Sequence, residues 1–251
     1  MPRCTRDCRG DRALGGSDRS RGSVVVMRWT SATDALGINQ DAYWCSADGR
    51  FAMVADGGAR PDQHAELASS ACCRIATALY NSKAGDELID RIVLESNREL
   101  LRRVSAGEAV GTTGASFVHV SASGAVLAAS FRDSPVVHGR DGQLLRRVRP
   151  RRKYDYTAKP EELAALDATF AALNWKLRIP LEYHLPYADL SLDAAVERLD
   201  YRPGDVIVIC SDGVSDVVTD EELVRASDAN SLVTLARERS SRDDATCLVG
   251  R

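Results

Sequence analysis

The stretch GDVIVICSDGVSD, residues 204–216, decides how the rest of the chain is read. After the turn-forming Arg202-Pro203-Gly204, the short apolar run DVIVIC has the length and β-branched content of a strand buried on both faces. It delivers the chain directly to Ser211-Asp212-Gly213, an acid followed by glycine at the strand's end. The same construction recurs upstream. AYWCSADGRFAMVAD, residues 42–56, reads as two short strands joined at Asp48-Gly49, the second ending on Asp56. SFVHVSASGAVLAASFRDSPVVHGRDGQLLRRV, residues 116–148, reads as a meander of three β segments punctuated by Ser123-Gly124 and Asp141-Gly142, one of them leading into Asp133. The chain closes on SRDDATCLVG, a final strand that follows Asp243.

Helices are expected between these strands. Residues 62–80 and 84–105 fit, with Leu88, Ile92, Leu100 and Val104 recurring at helical spacing in the second. One further helical stretch is expected near 160–175 and two more between 219 and 237. The order of strands, helices, strands, helices, strand predicts an α+β fold with layered antiparallel sheets rather than a parallel βαβ repeat.

Composition bounds the function. The 251 residues are 44% hydrophobic and 27% charged, with 33 Lys+Arg against 36 Asp+Glu, a net charge of −3. A pI near 5.9 gives no whole-chain attraction for nucleic acid. No apolar run approaches the roughly 18 residues that span a bilayer, so no membrane association is expected. Residues 1–23, rich in Arg, Gly and Ser, are expected to be a disordered extension without a signal-peptide core, leaving one domain over 24–251. Met27 directly precedes the foldable sequence, so 1–26 reads as an upstream extension or a start-site artefact. Cys72, Cys73, Cys210 and Cys247 lie in apolar segments as small hydrophobes, which predicts a reducing, cytoplasmic setting. Cys4 and Cys8 lack the second Cys/His pair that a zinc site needs.

The chemistry is concentrated in aspartates at strand boundaries: Asp41, Asp56, Asp212 and Asp243. Singly, each is most simply a turn residue. Brought together, they would repel one another until a cation neutralised them, and oxygen-only ligation suits Mg²⁺ or Mn²⁺ better than zinc.

Three ordered blocks add to this: Asn39-Gln40-Asp41 with VADGG at 54–58; GTTGASFVHV at 111–120 with FRDS at 131–134; and GDVIVICSDGVSD with RDDAT at 242–246. The series resembles the PPM family, the type 2C metal-dependent protein serine/threonine phosphatases, in its bacterial branch. There N-[QE]-D-A, V-A-D-G, G-E-x-A-S, G-T-T, G-D-S, G-D-x-x-[IL]-x-[CS]-S-D-G and D-[ND]-x-T occur in the same order. The resemblance implies a four-layer α-β-β-α sandwich with a metal site at one end. It implies two or three Mn²⁺ or Mg²⁺ ions held by Asp41, Asp56, the Gly57 carbonyl, Asp133, Asp212 and Asp243. Asp56, Asp212 and Asp243 would be central to catalysis by a metal-bridged water that attacks phosphorus. No cysteine sits in the C-x5-R arrangement of cysteine-dependent phosphatases.

The pattern also breaks. The family places a phosphate-gripping arginine three or four residues before N-[QE]-D, where this chain has Ala35 and Leu36. Arg28, Arg60 or the basic run RRVRPRRK at 146–153 are the candidates to replace it. That run is otherwise a solvated loop or a docking site for an acidic or phosphorylated partner. His64 sits eight residues after Asp56, against five for the family's histidine, and is expected to cap or flank the next helix. Glu66 falls in the G-E-x-A-S position at that helix's start. His119 and His138 are expected to be surface or satisfied strand residues. The expected function is hydrolysis of phosphoserine and phosphothreonine on proteins by a monomer opposing a cytoplasmic kinase. The alternative is a catalytically silent pseudophosphatase that binds phosphoproteins.

Overall fold

The computed structural model describes residues 26–58, 63–82, 87–149 and 194–251. Among the described residues, two five-stranded antiparallel sheets face each other. In spatial order the first holds β1 (Trp29–Asp34), β10 (Ala245–Gly250), β9 (Val206–Cys210), β6 (Val136–Arg140) and β7 (Gln143–Val148). The second holds β2 (Ala42–Cys45), β3 (Phe51–Gly58), β4 (Thr112–Val120), β5 (Val126–Phe131) and β8 (Ala194–Leu199). Helices α1 (Ala65–Asn81) and α2 (Leu88–Ser105) cover the second sheet; α3 (Asp212–Ser215), α4 (Asp220–Arg225) and α5 (Ala229–Glu238) lie against the first.

The apolar runs follow from this layering. Side chains alternate across a strand, and β9 is covered on both faces. Ile207 and Ile209 enter the space between the sheets with Ala52, Val54, Val118, Val120 and Leu248. Val206, Val208 and Cys210 face outward onto Leu223 and Val224 of α4 and Leu232 and Ala236 of α5. β3 divides likewise, with Phe51, Met53 and Ala55 packed beneath Cys72, Cys73 and Ala76 of α1 and Leu88 and Ile92 of α2. Local signals fix the small helices. Thr219 and Glu222 form a reciprocal capping box at α4, and Asp228 accepts from the Ser231 amide (2.9 Å) to start α5.

The 116–148 region differs from a single meander. It forms four strands, not three, and changes sheets: β4 and β5 pair in one, β6 and β7 in the other. The crossing at 132–135 is pinned by the Ser134 carbonyl, which accepts from the buried hydroxyls of Ser116 and Ser130. Alternating apolar residues look the same on either side of such a crossing, so periodicity does not reveal it.

The four apolar-segment cysteines are free and buried. Two charges of the basic run are engaged internally, Arg146 with Glu197 and Arg147 with Asp220. The rest of that run beyond Arg149, Arg60, Cys4, Cys8 and the stretch near 160–175 lie outside the described residues. Among the described residues, no helix is long and apolar enough to cross a membrane.

Candidate metal centre

The ends of four strands meet at one edge of the sandwich. Asp56 lies near the end of β3, Asp133 follows β5, Asp212 leaves β9 as the first residue of α3, and Asp243 precedes β10. Carboxylate oxygens of Asp56, Asp133 and Asp212 all lie within 4.8 Å of one another. Asp56 Oδ2 accepts from the Ser134 hydroxyl (3.0 Å) and the Asp212 amide (3.1 Å), which ties the two sheets together at the cluster.

Two glycines permit this convergence. A Cβ on Gly57 would stand 2.2 Å from the Gln40 carbonyl oxygen, and one on Gly213 would stand 2.1 Å from that of Asp244. Only hydrogen at these positions lets the 35–41 and 243–244 segments close over the strand ends. Asp41 is set by the first segment. Its amide donates to Asn39 Oδ1 (2.9 Å), whose Nδ2 donates to Thr33 Oγ1 (2.8 Å). Asp244 holds the same segment from the other side, accepting from the Leu36 amide (3.1 Å) and the Gln40 amide (2.7 Å). Arg237 donates to the carbonyls of Asp243 (2.8 Å) and Ser241 (3.2 Å) and to the Asp34 carboxylate (2.6 Å), fastening the loop that carries Asp243.

Burial and mutual repulsion govern the electrostatics of these acids. Burial, then the charges of Asp56, Asp133 and Asp243, push the Asp212 carboxyl up to about 8. Burial raises Asp56 well above the ordinary carboxylate range, with Asp41 and Asp133 adding to it. Burial raises Asp41 too, and the hydroxyls of Thr246 and Ser211 offset only part of the rise. Asp41 Oδ2 and Asp212 Oδ1 are buried with no hydrogen-bond partner among the described residues. Leaving such oxygens unsatisfied costs free energy unless something not contributed by the chain satisfies them. The donors are all carboxylate, hydroxyl and carbonyl oxygens, the chemistry of a hard divalent cation. The residues therefore fit a hard divalent cation, and the carboxylates of Asp56, Asp133 and Asp212 are close enough together to share one. Asp41 lies beside them at Gly57, and Asp243 is close enough to act on Asp212.

Arg28 is exposed, and its amide pairs with the Arg251 carbonyl (2.8 Å) at the opposite end of β1. Six extended residues, about 20 Å, separate it from Asp34 at the site's end. His64 precedes α1 without a side-chain cap and meets Glu66 at 3.1 Å. His138 is buried and bonded to Asp205 (2.8 Å), and His119 is buried beside the rings of Phe51 and Tyr80. Sequence reading did not single out Asp244, Ser134, Ser211 or Thr246. Their signal lies in the motifs themselves, in the second acid and the Thr of RDDAT and the Ser of FRDS.

A family model described as Protein phosphatase 2C matches residues 30–246. The chain belongs to the protein phosphatase 2C family. No curated protein matches it. Among solved structures it is similar to PppA, described as a key regulatory component of T6SS in Pseudomonas aeruginosa, at 19% identity and TM-score 0.67, covering 91% of this chain and 98% of that one. The PPM Ser-Thr phosphatase MsPP from Mycobacterium smegmatis, solved with cacodylate, is 21% identical with TM-score 0.64, covering 91% and 99%. The catalytic domain of PstP, a serine/threonine protein phosphatase solved with two manganese ions, is 19% identical with TM-score 0.64, covering 90% and 97%. These likenesses establish the two-sheet, helix-flanked fold.

Proposed function

We propose that this chain is a Mn²⁺- or Mg²⁺-dependent phosphatase acting on phosphoserine and phosphothreonine in proteins, opposing a cytoplasmic serine/threonine kinase as a single domain spanning 24–251. One observation carries this reading: Asp56, Asp133 and Asp212 converge from three strand ends, and buried oxygens of Asp41 and Asp212 lack hydrogen-bond partners among the described residues. Divalent ions in such a site supply a nucleophile at neutral pH and neutralise phosphoryl charge. The chain's own part is geometric. Asp56 joins the two sheets at the centre of the cluster, Asp212 and Asp133 close it from either side, and Asp41 faces Gly57. Asp243 serves the Asp212 side. PstP, solved with two manganese ions, supports the choice of metal.

The pseudophosphatase reading draws on a different observation, the apolar Leu36 in the place of the family's phosphate-gripping arginine. Hydrolysis of an aryl phosphate and a phosphothreonine peptide, with Mn²⁺, with Mg²⁺ and with chelator, separates the two. Turnover that requires metal is expected; silence from folded protein in all conditions would leave the binding module.

A further inference from the structure

The 35–40 segment offers the cluster no cation: Leu36 and Ile38 project into solvent, 64% and 74% exposed, and the segment's amides are held by Asp244. Arg132 lies on the other side of the same site. It stands immediately before Asp133, at the position that is glycine in the Gly-Asp-Ser motif this segment resembles. Its backbone φ is +70°, the left-handed region where glycine rests without strain and an arginine does not. The side chain folds from the end of β5 across β4 to the end of β3. Its Nη1 donates to Thr112 Oγ1 (3.2 Å), and that hydroxyl donates in turn to the Gly58 carbonyl (3.1 Å). A Cβ on Gly58 would lie 3.2 Å from the same Nη1. The guanidinium therefore rests on Gly58, two residues beyond Asp56 and next to Gly57, while Arg132 remains exposed to solvent.

We propose that Arg132 holds the phosphoryl group of the substrate, taking over from the absent arginine of the 35–36 position. The inference rests on the phosphatase reading given above. A guanidinium presents N–H donors in a planar fork matched to two phosphoryl oxygens. Placed beside carboxylates that hold divalent ions, it meets a phosphate whose other oxygens face the metal. Glycine at position 58 leaves that seat open, since a Cβ there would stand 3.2 Å from both Nη1 and Thr112 Oγ1.

The experiment compares wild type with Arg132→Gly and Arg132→Lys, all loaded with Mn²⁺. Inorganic phosphate binding is followed by calorimetry and by its effect on melting temperature, alongside KM and kcat for a phosphothreonine peptide. Arg132→Gly relieves the positive φ, so the variant is expected to fold at least as stably as wild type. Its phosphate dissociation constant and KM should rise roughly tenfold or more, kcat should change less, and lysine should restore part of the loss. Unchanged phosphate affinity in Arg132→Gly would overturn the proposal. So would tighter Mn²⁺ binding with no change toward phosphate, since Arg132 would then be only a counter-charge to the aspartates. Wild type that binds phosphate through Arg132 but does not turn over substrate would defeat the phosphatase reading and leave this assignment standing. Wild type that binds no phosphate would defeat the assignment.

Discussion

The two ends of β9 each carry a largely buried aspartate, and they are in opposite states. At the start, Asp205 is enclosed by partners. Arg140 Nε donates to Oδ1 (2.7 Å), and Arg140 Nη2 (2.9 Å), His138 Nε2 (2.8 Å) and the Arg202 amide (2.8 Å) gather on Oδ2. Burial alone would raise its pKa, but Arg140, His138 and the Arg202 amide outweigh it and bring it down to about 2. Six residues after Asp205, at Ser211, the strand hands over to Asp212. There burial and neighbouring acids act in the same direction, and Oδ1 has no partner among the described residues. One acid is complete within the protein and serves the fold. The other is incomplete, and the fold holds it so at a cost in stability, which is the mark of a site built for a ligand.

Breaking each end in turn should separate the two roles. Asp212→Asn removes charge but little volume, so it should lower Mn²⁺-dependent phosphate ester hydrolysis on the order of 100-fold or more. In chelator its melting temperature should match or exceed that of wild type, because burying the Asp212 carboxyl among other acids no longer opposes folding. Retained turnover would remove Asp212 from the metal site. Asp205→Asn should do the reverse. It takes the Asp205 carboxylate away from Arg140, His138 and the Arg202 amide, and the Asp200 carboxylate, 3.7 Å from Arg140 Nη2, makes up only part of that. The melting temperature should therefore fall by several degrees. Metal dependence of the remaining activity should be unaffected; an altered Mn²⁺ requirement would mean the two ends of β9 are not independent.

Metal itself sharpens the contrast. Mn²⁺ at 100 times its dissociation constant should stabilise wild type by about 2.7 kcal/mol. Asp205→Asn should gain the same increment from its lower starting point, and Asp212→Asn much less at equal Mn²⁺. Equal increments in all three proteins would place the ion elsewhere.

The sequence makes the two ends of β9 unequally legible. DVIVIC announces a strand covered on both faces, and an acid before glycine at its exit suggests a site once similar exits recur after β3 and β5 and before β10. Asp205 looks like one more turn acid beside Pro203-Gly204. Its partners Arg140 and His138 come from β6, which reaches β9 only because the chain changes sheets at 132–135. That crossing leaves no mark in the alternation of apolar residues. RDDAT poses a finer difficulty. Neighbouring residues approaching a strand point to opposite sides, so one acid of the pair faces Asp212 and the other, Asp244, bonds the 36–40 segment. Spacing alone does not say which. Arg132 is visible as a letter in FRDS, but that it folds back over Gly58 follows only from the register of β3, β4 and β5.

The smallest expected effect is a difference in slope with pH. Asp205 has a folded pKa of about 2 against an ordinary value of 3.8, so its stabilisation is complete above about pH 4 and is lost as pH falls toward 2. Asp212 behaves in the opposite sense in metal-free protein. With its folded pKa raised to about 8, the native state binds a proton that the unfolded chain has already released. Its contribution is therefore greatest below about pH 4 and declines as pH rises toward 8. Melting temperatures measured in chelator from pH 4 to 8 should fall more steeply for wild type than for Asp212→Asn. Saturating Mn²⁺ should flatten or reverse the wild-type slope, since the ion requires the deprotonated carboxylate. Parallel slopes in the two metal-free proteins would show that Asp212 does not carry this proton, and that the cluster's strain resides in Asp41 and Asp56.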